Sequence, residues 1–74
     1  MRMVKLGVIG CGNMGSAIVR AIVAGKVLQP ETILINDRDI ERLRRLGEDT
    51  GVSVASMDDL VERSNVILFA VKPQ

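Results

Sequence analysis

The sequence predicts a three-layer α/β domain on a parallel sheet, in the order β-α-β-α-β-α-β, and three observations carry that reading. Short β-branched runs alternate with stretches of helical periodicity. A glycine cluster stands where the first run gives way to the first helix. The 74 residues are 47% hydrophobic and 26% charged, the balance of a folded globular chain and not of a disordered one. A chain this long holds one small domain, 1–74, and leaves no room for a second.

Met3 to Ile9 is a short apolar run ending at glycines, as expected of a strand buried on both faces of a parallel sheet. Met14, Ala17, Ile18, Ala21 and Ile22 then recur at the spacing of a single helical stripe, and Gly25 is placed to end that helix as its C′ residue. Lys26 to Glu31 is a returning loop with Pro30, leading to a second strand at Thr32 to Ile35. Asp39 is positioned to cap a second helix with Ile40, Leu43 and Leu46 on one face, weakened toward its end by Gly47 and Gly51. Val52 to Ala55 reads as a short third strand. Ser56 and Asp59 form the S-x-x-D capping pattern ahead of a brief third helix. Asn65 opens the apolar run Val66 to Val71, a fourth strand that looks central and that Pro73 ends. Right-handed crossovers place the strands in the order 3-2-1-4.

Composition excludes several functions. Ten basic and nine acidic side chains leave a net charge of +1, which is no footprint for a nucleic acid. One cysteine, Cys11, and no histidine provide neither a disulfide framework nor a Cys/His zinc site, so a reducing cytoplasm is the expected setting. Apolar runs fall short of the roughly 20 residues of a membrane helix, and the glycines interrupt any signal-peptide core at the start.

The chemistry gathers at three places. Gly10-Cys11-Gly12-Asn13-Met14-Gly15 is G-x-G-x-x-G between a predicted strand and a predicted helix, the context in which that pattern marks a dinucleotide site. Gly10 permits the tight turn, Gly12 lets backbone approach a pyrophosphate, and Gly15 lets the helix pack against the strand. The helix N-terminus beyond attracts phosphate through free N–H groups and its dipole. Nothing basic adjoins Cys11 in sequence, so Cys11 and Met14 read as packing rather than reactive residues. Asn36-Asp37-Arg38 follows the second strand, with Asp37 placed 22 positions after Gly15, near the spacing of a ribose-binding acid. An Asp there favours NAD, whereas the Arg38 fork suits the 2′-phosphate of NADP; both are present, and a bland reading makes Asp37 and Asp39 helix caps and Arg38 a solvated charge. Ala70-Val71-Lys72-Pro73 ends the fourth strand where the strand order reverses, so it lines the same crevice. Together these describe most of one half of a Rossmann-type fold.

The strings Gly7 to Ile18 and Ala70-Val71-Lys72-Pro73-Gln74 closely resemble the amino-terminal part of pyrroline-5-carboxylate reductase, and the resemblance spans the chain. G-N-M-G-x-A-I joined to A-V-K-P is narrower than the glycine motif alone; the F420-dependent NADP reductases share the domain. The resemblance implies hydride transfer from NADPH or NADH to 1-pyrroline-5-carboxylate, giving proline. That family commonly reads Asn-Arg after the second strand, so Asp37 in place of Asn makes dual or NADH use plausible beside NADPH. It also implies a helical carboxyl-terminal substrate and dimer domain beyond Gln74, and hence a cofactor-binding fragment without turnover here, with a homo-oligomeric intact enzyme. The competing reading is a stand-alone nucleotide-sensing module. The fourth strand, lacking a neighbour on one side, is expected to drive self-association of the fragment.

Overall fold

The computed structural model describes residues 4–71. Within it the chain runs β1 (Val4–Ile9), α1 (Asn13–Ala24), β2 (Ile33–Asn36), α2 (Ile40–Thr50), β3 (Ser53–Val54), α3 (Met57–Arg63) and β4 (Ser64–Phe69). A 3₁₀ turn at Pro30–Thr32 delivers the chain into β2. All pairings are parallel and the order is β3-β2-β1-β4, as the right-handed crossovers require.

Alternation along the strands divides the core. Leu6 and Val8 of β1 and Ile33 and Ile35 of β2 point to one face, where Val19 of α1 and Leu43 and Leu46 of α2 cover them. Ile9 and Leu34 point to the other face, under Leu60 of α3. Helices on both faces of a parallel sheet make three layers, and β1 and β2 are accordingly buried. No helix among the described residues is long and apolar enough to cross a membrane.

Several local expectations change. The buried face of α1 is Gly15 and Val19, with Ile22 and Val23 packed beside the core, one position on from the expected stripe; Met14, Ala17 and Ala21 face outward. The stripe of small and apolar residues was ambiguous in phase, and the close approach of Gly15 to β1 sets it. Gly25 is not the left-handed residue that closes α1: its φ is −81°, and Lys26 takes φ 57° instead. Lys26 N–H donates to the Val23 carbonyl at 3.1 Å and Val27 N–H to Ile22 at 3.0 Å, a Schellman closure with lysine at C′. Helix α2 passes through Gly47 and ends at Gly51, whose φ of 86° is the left-handed cap. Ile40 at its start is 77% exposed and leaves the core to Leu43 and Leu46. Strand β2 begins one residue later than expected, because Thr32 belongs to the 3₁₀ turn. Strand β3 contracts to Ser53–Val54, and β4 runs Ser64–Phe69 instead of beginning at Val66. Among the described residues β4 is an edge strand and not a central one; it pairs with β1 alone and leaves Val66 61% and Phe69 67% exposed.

Candidate functional site

Parallel strands end together, and the carboxyl ends of β1, β2 and β4 enclose a cavity of about 640 Å³. Its walls are the glycine turn (Gly10, Gly12, Asn13, Met14), the end of β2 (Asn36, Asp37, Arg38) and the residues after β4 (Ala70, Val71). These three segments are the ones singled out in the sequence, brought to one place by the reversal of strand order between β1 and β4. Gly15 lies buried beneath the turn and does not line the cavity. Lys72 and Pro73 fall outside the described residues. Met14 is 57% exposed and forms cavity wall, so it is not a packing residue, whereas Cys11 is fully buried and is one.

The three glycines of the turn do different work. Gly10 has φ +100°, a conformation L side chains rarely adopt, and its N–H donates to the Asn36 carbonyl at 2.8 Å. A Cβ on Gly15 would collide with the Gly10 carbonyl oxygen and come within 3.3 Å of the Ala70 Cβ, so helix α1, strand β1 and the segment after β4 meet there at backbone distance. A Cβ on Gly12 meets only Arg42 Nη1, at 3.5 Å, and otherwise projects into open space. The fold needs glycine at 10 and 15. At 12 it leaves an empty approach to backbone.

That approach leads to an uncapped helix. Gly12 is the N-cap of α1 and offers no side chain to its first turn, which contains no acidic residue. Helices α2 and α3 are finished differently: Asp39 accepts from the Glu41 and Arg42 N–H groups, Ser56 accepts from Asp59 N–H, and both first turns carry acids. The first N–H groups of α1 therefore keep their unmet capacity and their positive dipole end at the cavity. A diphosphate satisfies both at once, so the residues present fit a dinucleotide.

Asp37 stands opposite. Its Oδ2 accepts the Cys11 N–H of the glycine turn, and its Oδ1 accepts the Asp39 N–H at 2.8 Å. Partial burial pushes its carboxyl up, but the peptide N–H groups of Asp39, Cys11 and Arg38 and the Arg42 guanidinium outweigh that and hold it below the ordinary carboxylate range. Asn36 spends its side-chain amide on the Ala55 carbonyl at 2.7 Å, tying β2 to the approach of α3. Ser16 Oγ donates to the Cys11 carbonyl at 2.7 Å and steadies the turn from the helix side. Burial pushes the Cys11 thiol up to about 11, with the Asp37 carboxylate adding to the effect, so it is protonated and unreactive at neutral pH.

Ile9, Arg42 and Met57 also line the cavity and were not anticipated. Arg42 belongs to the first turn of α2, paired with the capping Asp39 at 3.4 Å, and Met57 is the first residue of α3 after its Ser56 cap. A signal existed for both: a helix capped at the carboxyl end of a parallel sheet turns its opening residues toward the crevice.

The chain matches, over residues 5–74, the family described as NADP oxidoreductase, coenzyme F420-dependent. It is 39% identical over 71 residues to the pyrroline-5-carboxylate reductase of Arabidopsis thaliana, an overlap of 95% of this chain and 26% of that protein. The pyrroline-5-carboxylate reductase of Aquifex aeolicus is 37% identical over the same shares. An L-aspartate dehydrogenase of Methanocaldococcus jannaschii is 33% identical over 61 residues, 81% of this chain and 23% of the relative. The chain spans about a quarter of the length of these curated relatives.

Proposed function

The chain belongs to the NADP oxidoreductase, coenzyme F420-dependent, family, and from that premise we propose that it is the cofactor-binding domain of a pyrroline-5-carboxylate reductase of the proline pathway, working in a reducing cytoplasm. The glycine turn and the open N-terminus of α1 bind the diphosphate of NADPH or NADH. Asn36, Asp37 and Arg38 border the adenosine ribose, with Arg42 beside them, and Ala70 and Val71 border the opposite wall. When bound, the nicotinamide supplies the hydride that reduces the imine carbon of 1-pyrroline-5-carboxylate to give L-proline.

The observation that carries this reading is the open space at Gly12 above an uncapped helix end, in a chain whose similarity to two pyrroline-5-carboxylate reductases covers nearly all of its length. Reduction also needs the imine held against the nicotinamide and a proton delivered to its nitrogen. Among the described residues, the ionisable groups lining the cavity are Asp37, Arg38 and Arg42, all on the β2 and α2 side. We read the chain as the cofactor-binding part of the reaction, with substrate held outside these 74 residues, as befits a chain that spans about a quarter of the length of its curated relatives. The family description favours a second reading, exchange of hydride between coenzyme F420 and NADP.

Fluorescence titration of the 74-residue chain with NADPH and NADH tests the binding: saturation by either below millimolar concentration is expected, and saturation by neither refutes the reading. For a longer chain carrying this domain, reduction of 1-pyrroline-5-carboxylate with NADPH, and none of NADP with reduced F420, decides between the two activities.

A further inference from the structure

We propose that Asp37 is a positioning residue for the glycine turn, a clamp that shapes the diphosphate cradle and so supports both nicotinamide dinucleotides alike instead of selecting between them at the ribose. This rests on reading the cavity as a dinucleotide site. One carboxylate joins two distant peptides: Oδ2 takes the N–H of Cys11, between the first two motif glycines, and Oδ1 takes the N–H of Asp39, at the cap of α2. The Cys11 N–H belongs to the peptide that follows Gly10, whose left-handed φ of +100° sets where the turn goes. Holding that peptide plane fixes the entry into Gly12 and the first turn of α1. Three further bonds brace the same point, from Gly10 N–H and from the Cys11 thiol to the Asn36 carbonyl at 2.8 and 3.8 Å, and from Ser16 Oγ to the Cys11 carbonyl.

A carboxylate offers about four acceptor positions, and here each oxygen already serves a peptide donor. An acid reserved for two ribose hydroxyls keeps its oxygens free for them; this one gives an acceptor position on each oxygen to the chain. Arg38 and Arg42, the latter paired through Nε with Asp39, line the same side of the cavity and present the guanidinium groups suited to a 2′-phosphate.

Two measurements test the clamp. In the ligand-free chain, an NMR pH titration follows the Asp37 carboxyl carbon together with the Cys11 and Asp39 amide protons. All three are expected to move with one midpoint, the Cys11 amide losing its downfield shift as the carboxyl is protonated; a Cys11 amide that stays still while Asp37 titrates overturns the proposal. In Asp37→Asn, one of the two peptide donors faces an NH₂ group, and NADH and NADPH affinities are expected to fall together by about tenfold with their ratio held within about threefold. Weakened NADH with unchanged or improved NADPH identifies a ribose selector and likewise overturns the clamp. If the unaltered chain binds neither dinucleotide, the cofactor reading falls while the amide titration still decides the clamp.

Discussion

Replacing Gly12 by alanine separates what the fold needs from what a ligand needs. The added Cβ meets only Arg42 Nη1 at 3.5 Å, and Gly12 already has φ −72°, open to any residue. Alanine is a poorer N-cap than glycine, which costs a few tenths to about 1 kcal/mol. Its smaller unfolded-state entropy returns about 0.4–1 kcal/mol. The net change is within about 1 kcal/mol, less than about 8 °C in Tm for a domain of this size. Binding responds differently, because the methyl occupies the open space over the first N–H groups of α1. Loss of one charge-assisted hydrogen bond, about 1.5–3 kcal/mol, weakens NADPH and NADH roughly 10- to 150-fold. Gly15→Ala is the control, since its Cβ strikes the Gly10 carbonyl; overpacking of this kind costs about 1–3 kcal/mol or more. Urea denaturation and fluorescence titration of the two variants decide the matter. A Gly12→Ala chain that unfolds like Gly15→Ala, or that binds as the unaltered chain does, refutes the reasoning.

Lys26→Gly relieves a lysine at φ 57° in the Schellman closure of α1 and is expected to raise stability by about 0.5–1 kcal/mol in urea melts, the left-handed penalty minus the entropy cost of glycine. Because burial holds the folded Cys11 thiol at about 11 against an ordinary 9.0, its contribution to stability is intact below pH 9.0 and is lost as pH rises through about 11; denaturation midpoints across that window check the sign, and iodoacetamide at neutral pH should label Cys11 only after unfolding. Strand β4 exposes Val66 and Phe69 beside an edge that nothing among the described residues pairs, so sedimentation should show concentration-dependent association of the chain, reduced by Val66→Lys.

The strand order, the glycine turn and the meeting of the three cavity segments were legible because each rests on local chemistry: apolar runs, glycine spacing and the handedness of crossovers. The caps at Asp39 and Ser56 were legible for the same reason. The face of α1 was legible only in part: of the stripe Met14, Ala17, Ile18, Ala21 and Ile22, Ile22 packs on the core beside Val19 and Val23, while Met14, Ala17 and Ala21 face outward, because the contact of Gly15 with Gly10 fixes the phase. Gly25 misled because glycine suits a left-handed cap, yet the chain places Lys26 there. Arg42 is exposed, as a polar residue on the outer face of a helix is expected to be, but its place at the cavity comes from the direction in which α2 starts, which no spacing from the glycine motif reveals. The spacing of Asp37 from Gly15 pointed to a ribose acid; that its oxygens are turned onto Cys11 and Asp39 is a matter of three-dimensional reach.

The parallel sheet also sorts the chain by end. The Schellman closure at Lys26, the 3₁₀ turn at Pro30 and the left-handed Gly51 all serve the opposite rim from the cavity. Doubling a connection there costs only about 0.6 kcal/mol in closure entropy. That rim is where a tag, a fluorophore or a purification handle can be spliced after the exposed Val27, ahead of Leu28 that packs on the core, at the far end from the cavity. The molecule thus comes with a handle and a working end already separated by the length of its strands.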